Sequence, residues 1–141
     1  MEINYGKQFI DRKDFNEVVK SMKKKFITTG DYVKKFERSI KYKFKCKYVS
    51  SCSNATAGLH LAFLSINLKK NDVVLMPSIN FISSYRMAKL LGAKVYLVDV
   101  DSRTGQMNTK SILECIKKNR IKKIKALVSM YLGGYVYNNI D

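Results

Sequence analysis

The sequence has few of the residues that mark secreted, metal-binding or disordered proteins. It contains three cysteines, one histidine, one proline and no tryptophan among 141 residues. An odd cysteine count without a CxxC pair argues against a disulfide framework, and a single histidine argues against a zinc site. No apolar run reaches the roughly 18 residues of a membrane span, and the opening MEINYGKQF lacks the apolar core of a signal peptide. These absences predict a cytoplasmic protein with reduced thiols and no membrane segment.

Acidic residues are also scarce. The chain has 11 Asp and Glu residues against 27 Lys and Arg residues, which gives a formal charge of +16. Such an excess is typical of proteins with polyanionic partners, and it also arises when the acidic residues of a longer polypeptide lie elsewhere. Two basic clusters, Lys20–Lys25 and Lys117–Lys125, lie on or at the end of helical patterns. Because neither cluster interleaves exposed aromatic residues, a solvated surface is favoured over a nucleic-acid site.

Hydrophobic periodicity predicts an N-terminal helical segment followed by an α/β domain. Apolar residues at helical spacing predict one helix over 11–25, capped by Asp11, and a second from about Asp31. From residue 48, strands alternate with helices, the strands being Tyr48–Cys52, Val73–Met76, Lys94–Val98 and Ala126–Met130, and the helices 54–67, 82–91 and 109–119. This alternation implies a mostly parallel sheet with flanking helices. We predict a helical segment over 1–47 and an incomplete α/β domain over 48–141, since four strands leave an open sheet edge.

The turn Ser51–Gly58 is the first candidate site. Ligands of open α/β sheets bind beyond the carboxyl ends of the strands, where this turn is expected to lie. Its small and hydroxylated residues leave backbone N–H groups uncovered at a helix start, and Thr56 would add a hydroxyl donor for an anion. An ordinary Ser/Asn helix cap accounts for these residues equally well. The GxGxxG and GxxxxGK[ST] patterns of nucleotide sites are missing.

Four other residues have both a functional and a structural interpretation. Phe81 follows a strand and would stack on a planar ligand or pack in the core. Asp99 and Asp101 would be acid/base groups or would cap a turn at a strand end. His60 would be a general base or a packed helix residue. The structural interpretation is the commoner one in each case, and one histidine cannot build a Ser/His/Asp or Cys/His arrangement.

Six short motifs occur in order along nearly the whole chain, namely Tyr5–Asp11, Ile27–Glu37, Asn54–Ala62, Asp72–Phe81, Gly92–Asp101 and Ile124–Gly134. In this order they resemble the DegT/DnrJ/EryC1/StrS family of sugar aminotransferases, which use pyridoxal 5′-phosphate (PLP). Each motif alone is weak, and their common register makes the resemblance specific. The opening Tyr5–Gln8 leans towards members of the pseudaminic-acid type.

The resemblance implies a fold, a reaction and a set of site residues. The fold would be part of the large domain of a fold-type-I PLP transferase. The reaction would move an amino group, typically from glutamate, onto a nucleotide-linked keto sugar, in a homodimer. Ala55 and Thr56 would hold the cofactor phosphate, and Phe81 would stack on its pyridine ring. The sugar-nucleotide site would be lined by Tyr5, Lys25, Phe26, Ile27 and Thr28.

The sequence departs from the family pattern in two ways. Three positions differ, since Ala55 replaces the usual Gly, Asn80 replaces the usual Thr, and Met130–Leu132 replaces a His-containing turn. In addition, the resemblance implies that the Schiff-base lysine and the carboxylate for the pyridinium nitrogen lie beyond Asp141, because no lysine here matches that motif. We therefore expect an N-terminal portion without catalytic residues, inactive alone. The alternatives are a basic, non-catalytic module that binds nucleic acid or another polyanion, and a non-catalytic subunit that pairs with a complete homologue.

Overall fold

The computed structural model describes residues 6–136, and the chain forms two compact units that meet in sequence at Ser51 and Cys52. The predicted domains 1–47 and 48–141 stay a prediction. Tyr5 lies outside the described residues. Within residues 6–136, no helix is both long enough and apolar enough to cross a bilayer.

The first unit contains two helices, α1 (Arg12–Met22) and α2 (Asp31–Phe44). Asp11 caps α1 as predicted, because its Oδ1 accepts hydrogen bonds from the N–H groups of Lys13 (2.6 Å) and Asp14 (3.1 Å). The Asp14 carboxylate accepts in return from the Asp11 N–H, at 2.9 Å. This reciprocal capping box fixes the start of α1. Gly30 precedes α2 with a φ of 125°, a backbone conformation that favours glycine.

The second unit alternates helices and strands, with α3 (Ala55–Ser65), β1 (Val73–Pro77), α4 (Ile82–Leu90), β2 (Lys94–Val98), α5 (Thr109–Asn119) and β3 (Ala126–Leu127). A single 3₁₀ turn follows at Leu132–Gly134. The strands form one sheet in the order β2-β1-β3, and both pairings are parallel. The predicted parallel α/β architecture is confirmed.

Strand β1 lies at the centre of the core, and its alternate residues contact helices on both faces. Val74 and Met76 pack with Phe63 of α3 and Ala88 of α4. Leu75 packs on the other face with the α5 residues Ile112 and Cys115. Because both faces are covered, β1 is apolar at every position, as expected for a buried parallel strand.

Two of the predicted strands need correction. Tyr48–Cys52 is not a strand, because Ser51 donates its N–H to a side chain, Glu37 Oε1, at 2.9 Å, and pairs with no strand in the described residues. The strand predicted over Ala126–Met130 is shortened to Ala126–Leu127. On β1 the next backbone donor towards β3 after Leu75 would be residue 77, which is proline and has no N–H, so the ladder ends there.

Candidate functional site

The helices α3 and α4 both begin at the carboxyl edge of the sheet. Each leads through a short connection into a parallel strand, α3 into β1 and α4 into β2, so each runs back across the sheet. The two connections meet at the opposite, amino edge, where Asn71 donates its N–H to the carbonyl of Gly92 at 3.0 Å. Since α3 and α4 end together at the amino edge, their starts share the carboxyl edge with the ends of the strands.

The start of α3 combines a helix cap with unused backbone donors. Asn54 Oδ1 accepts from the N–H of Ala57 at 2.9 Å, and the Asn54 carbonyl accepts from the N–H of Gly58 at 3.0 Å. In the described part of the chain, the N–H groups of Ala55 and Thr56 donate to no protein acceptor. The cap interpretation and the anion interpretation therefore hold together, because capping satisfies only some of the helix-start donors.

The surroundings of these donors suit a phosphate monoester. Ala55 is exposed and Thr56 is half-buried with its hydroxyl on the first turn of the helix. The preceding thiol of Cys52 is engaged, since Sγ donates to the Asn54 carbonyl at 3.3 Å. A β-carbon at Gly58 would lie 3.4 Å from that sulfur, an ordinary contact distance, so the thiol packs next to this glycine. Two backbone N–H groups, a hydroxyl and a helix N-terminus are donors that an anionic phosphate prefers.

Phe81 stands immediately before α4 at the same edge and is exposed. The residue is 70% accessible, so the core-packing interpretation of Phe81 is wrong. It lines a cleft of about 250 Å³ together with Met76, Pro77, Ser78, Asn80, Ile82, Ser84, Tyr85 and Leu97. Asn80 donates to the buried hydroxyl of Ser84 at 2.7 Å, which fixes the backbone next to the ring. An exposed arene beside an apolar cleft is suited to stacking on a planar ring.

The two aspartates after β2 serve the backbone. Asp101 Oδ1 accepts from the N–H groups of Thr104 and Arg103, each at 3.0 Å. These two backbone hydrogen bonds lower the pKa of the Asp101 carboxyl. Asp99 Oδ1 accepts from the N–H of Val100 at 2.9 Å. The turn-capping interpretation is confirmed for Asp101.

Apart from Tyr5, which lies outside the described residues, the predicted sugar-nucleotide residues lie in the first unit, between α1 and α2. Phe26 and Ile27 are 62% and 77% accessible, and Lys25 and Thr28 are exposed. Lys25 Nζ lies 5.6 Å from the centroid of the Phe26 ring, which is a cation–π distance. The neighbouring ends of these helices enclose a cleft of about 520 Å³, lined by Glu17, Lys20, Lys23, Lys24, Tyr32 and Lys35.

Comparison with known proteins identifies the family. A model of the DegT/DnrJ/EryC1/StrS aminotransferase family matches residues 8–141. The chain belongs to this family. The identification made from six motifs is confirmed, and DegT-family membership covers both compact units.

Curated and structural relatives agree with the assignment to the DegT family. The chain is 33% identical over 106 residues to GDP-perosamine synthase of Escherichia coli O157:H7, covering 75% of this chain and 28% of that protein. It is 35% identical over 115 residues to UDP-4-amino-4-deoxy-L-arabinose–oxoglutarate aminotransferase of Shewanella sediminis, covering 82% of this chain and 29% of that protein. The chain thus spans under a third of the length of these relatives.

A solved structure shows the same fold. A Streptococcus pneumoniae protein described as a sugar aminotransferase, in its PMP form, superposes with a TM-score of 0.83 at 23% identity. The match covers 98% of this chain and 34% of that chain. The architecture of the two DegT-family units is therefore that of a PLP-type aminotransferase.

Sequence reasoning missed one functional candidate, Gln106. It is buried, at 4% accessible, and its side chain reaches a residue far along the chain. No local spacing could have revealed this contact, because it joins two loops that only the sheet brings together. The one hint in the sequence of this chain is that the polar Gln106 directly precedes the apolar Met107, which is buried.

Proposed function

We propose that this chain supplies the phosphate-holding and ring-stacking part of a PLP-dependent sugar aminotransferase. The observation that carries the proposal is the start of α3, where two backbone N–H groups and the Thr56 hydroxyl are available beside the cap of Asn54. Ala55 and Thr56 would hold the phosphate ester and Phe81 would lie against the pyridine ring. When bound, PLP supplies an electron sink for moving an amino group. The protein's part is to hold that cofactor in one orientation.

The substrate in this proposal is a nucleotide-linked keto sugar, and glutamate is the amino donor. Both curated relatives carry nucleotide-sugar names, and the second also names oxoglutarate. Tyr5, Lys25, Phe26, Ile27 and Thr28 would line the sugar-nucleotide site. The exposed Phe26 ring would pack against a base or a sugar face, and Lys25 would approach the phosphates. We place the complete enzyme in the cytoplasm as a homodimer, with its product used for surface polysaccharide.

The proposal assigns no catalytic residue to this chain. None of its lysines lies in a segment that resembles the family's Schiff-base motif, and we infer that the lysine and the pyridinium carboxylate belong to sequence outside these 141 residues. A symmetric pair of such chains would lack the same groups twice. We therefore expect binding of the phosphorylated coenzyme without transamination.

Titration of the chain with pyridoxamine 5′-phosphate tests the binding step. This probe carries the phosphate and the ring but no aldehyde, so it cannot react with the many exposed lysines. We expect saturable binding with one site per chain, measured by phosphorus NMR, and much weaker binding of pyridoxamine, which lacks the phosphate. Equal affinities for the two compounds, or no binding of either, would overturn the assignment of the α3 start.

Reduction with borohydride in the presence of pyridoxal phosphate tests the catalytic part. We expect only scattered, substoichiometric labelling of surface lysines, measured by peptide mass spectrometry. One lysine labelled stoichiometrically would contradict the inference that this chain lacks the Schiff-base residue.

A further inference from the structure

The buried Gln106 links two loops that follow different strands. Its side chain Nε2 donates to the backbone carbonyl of Tyr135 at 2.7 Å. Gln106 belongs to the loop after β2, and Tyr135 follows the 3₁₀ turn Leu132–Gly134 after β3. Since β1 lies between β2 and β3, this contact passes the carboxyl end of the central strand.

The loop that carries Gln106 is itself held rigidly. The Asp101 N–H donates to the Gln106 carbonyl at 2.9 Å, and the Gly105 N–H donates to the Asp101 carbonyl at 2.8 Å. Gln106 in turn donates its own N–H to Thr104 Oγ1 at 3.3 Å. The next residue, Met107, is buried in the core. The side-chain amide is thus presented from a fixed backbone.

The 3₁₀ turn packs closely against this loop. A β-carbon at Gly105 would lie 2.6 Å from Leu132 Cδ2, so the Leu132 side chain packs directly over this glycine, whose φ of +66° also favours glycine. The sheet holds the turn weakly, because β3 pairs over only two residues and its ladder stops at Pro77. The loop and the hydrogen bond from Gln106 therefore contribute to the position of the turn.

We propose that Gln106 is a positioning residue that sets the turn at 131–135 as one wall of the cofactor site. The loop leads into α5, so this wall stands on the α5 side of the carboxyl edge, whereas α3 and α4 begin on the other face. The position of the turn follows from the contacts above, and its role as a wall rests on the proposed function.

Amide hydrogen exchange tests whether Gln106 holds the turn. We expect Gln106→Leu, which keeps the bulk and loses the donor, to lower protection at residues 131–136 about three- to tenfold, the effect of one lost hydrogen bond. Protection at residues 82–90 stays unchanged. The matched control is Asn119→Leu, which removes a side-chain amide that donates within α5 to the Cys115 carbonyl at 2.9 Å. Equal effects of both variants at 131–136 would overturn the proposal.

Gln106→Glu gives a readout that packing alone would not produce. At neutral pH its carboxylate cannot donate to the Tyr135 carbonyl, and burial raises the pKa of such a group above the ordinary value of about 4.3. Protonation on acidification supplies an O–H donor, so protection at residues 131–136, normalised to the wild type, should recover. Protection that stays low across this range contradicts a hydrogen-bonding role.

Affinity measurements with two probes test the role as a wall. We expect Gln106→Leu to weaken pyridoxamine 5′-phosphate binding about three- to tenfold, as for one lost hydrogen bond, and to leave inorganic phosphate binding unchanged, because phosphate alone contacts only the start of α3. Loss of both affinities together, or of neither, overturns this role. If the wild type does not bind pyridoxamine 5′-phosphate, both the proposed function and the role of the turn as a wall of the cofactor site are overturned. The exchange experiments still decide whether Gln106 holds the turn.

Discussion

Thr56 is the one side chain at the start of α3 that adds a hydroxyl donor to the free backbone N–H groups of the described helix start. Its neighbours Ala55 and Ala57 contribute only main-chain donors. A backbone N–H cannot be removed by ordinary mutation, so the Thr56 hydroxyl is the donor of this proposed site that a substitution can test. The contribution of a hydrogen bond to a charged group is about 1.5–3 kcal/mol.

We expect Thr56→Val to weaken pyridoxamine 5′-phosphate binding at least tenfold, by the loss of one charge-assisted hydrogen bond. The shape of the side chain is preserved, so the helix should stay intact. Ser65→Ala is the matched control, because it removes a hydroxyl from the other end of α3, where Ser65 donates to the Ala62 carbonyl at 2.8 Å. Calorimetric titration compares the variants. An unchanged affinity in Thr56→Val would remove the hydroxyl from the site.

Glu37 connects α2 to Ser51 in a pH-dependent way. Its Oε1 accepts from both the N–H and the hydroxyl of Ser51, each at 2.9 Å. The backbone hydrogen bond first, and the hydroxyl second, lower the pKa of the Glu37 carboxyl. Because the folded pKa lies below the unfolded one, this contact stabilises fully above the unfolded pKa and is lost as pH falls through the folded pKa.

The amide shift of Ser51 should therefore titrate with the Glu37 carboxyl on acidification, measured by NMR from neutral pH downwards. In Glu37→Gln the side chain can still accept a hydrogen bond but cannot ionise, so that titration should vanish. Glu114→Gln, a change on the exposed side of α5, should leave the Ser51 titration as it is. A Ser51 titration that persists in Glu37→Gln would assign it to another group.

At the level of elements, α3 is anchored to the sheet by a single fully buried side chain in the described structure. Phe63 packs with Leu68, Val74 and Met76, whereas most other positions of α3 are half-buried or exposed. The helix whose first turn carries the proposed phosphate donors is thus fixed from its far end. Cavity formation on removing a buried phenylalanine costs about 3–5 kcal/mol.

We expect Phe63→Ala to lower the free energy of unfolding by about 3–5 kcal/mol. The same substitution at Phe81, which is 70% accessible, should change it by about 0.5 kcal/mol or less. Urea denaturation followed by circular dichroism measures both. Similar losses in the two variants would mean that Phe81, too, is part of the core.

Local sequence signals predicted most of the helices and strands. Features that depend on contacts between residues distant in sequence could not be predicted. Strand β2 and helix α5 have the predicted bounds, Lys94–Val98 and Thr109–Asn119, because caps and periodicity are encoded within each segment. Tyr48–Cys52 has strand-like composition, but a strand also needs a neighbour, and Ser51 bonds to Glu37 instead. The exposure of Phe81 depends in the same way on how α4 packs against β1, which residue types alone do not reveal.

At the scale of the whole molecule, the charge of +16 is spread over exposed lysines. In the first unit they border two open clefts, and the second of these is lined by Arg38, Lys41, Tyr42, Lys43, Lys45 and Cys46. Exposed cations of this kind attract any polyanion through counterion release, which weakens steeply with salt. Affinity for DNA at low salt would therefore not by itself identify a nucleic-acid-binding protein.

We expect duplex DNA and single-stranded RNA to bind only at low ionic strength, without sequence preference, and to dissociate near 0.15 M salt, about the physiological value. Pyridoxamine 5′-phosphate should retain more of its affinity over the same range, because it also uses hydrogen bonds and stacking. Fluorescence anisotropy with labelled oligonucleotides measures the salt dependence. Salt-resistant, sequence-selective binding would favour the alternative of a nucleic-acid module.

Pro77 has an influence that reaches beyond its own strand. Because proline has no N–H to donate, Pro77 at the carboxyl end of β1 ends the pairing with β3 after Leu75. The chain that follows β3 therefore leaves the sheet at this point. Pro77 also lines the cleft beside Phe81, together with Leu97 of the other neighbouring strand, β2. One pyrrolidine ring therefore both limits the length of β3 and forms part of the wall of the cleft next to Phe81.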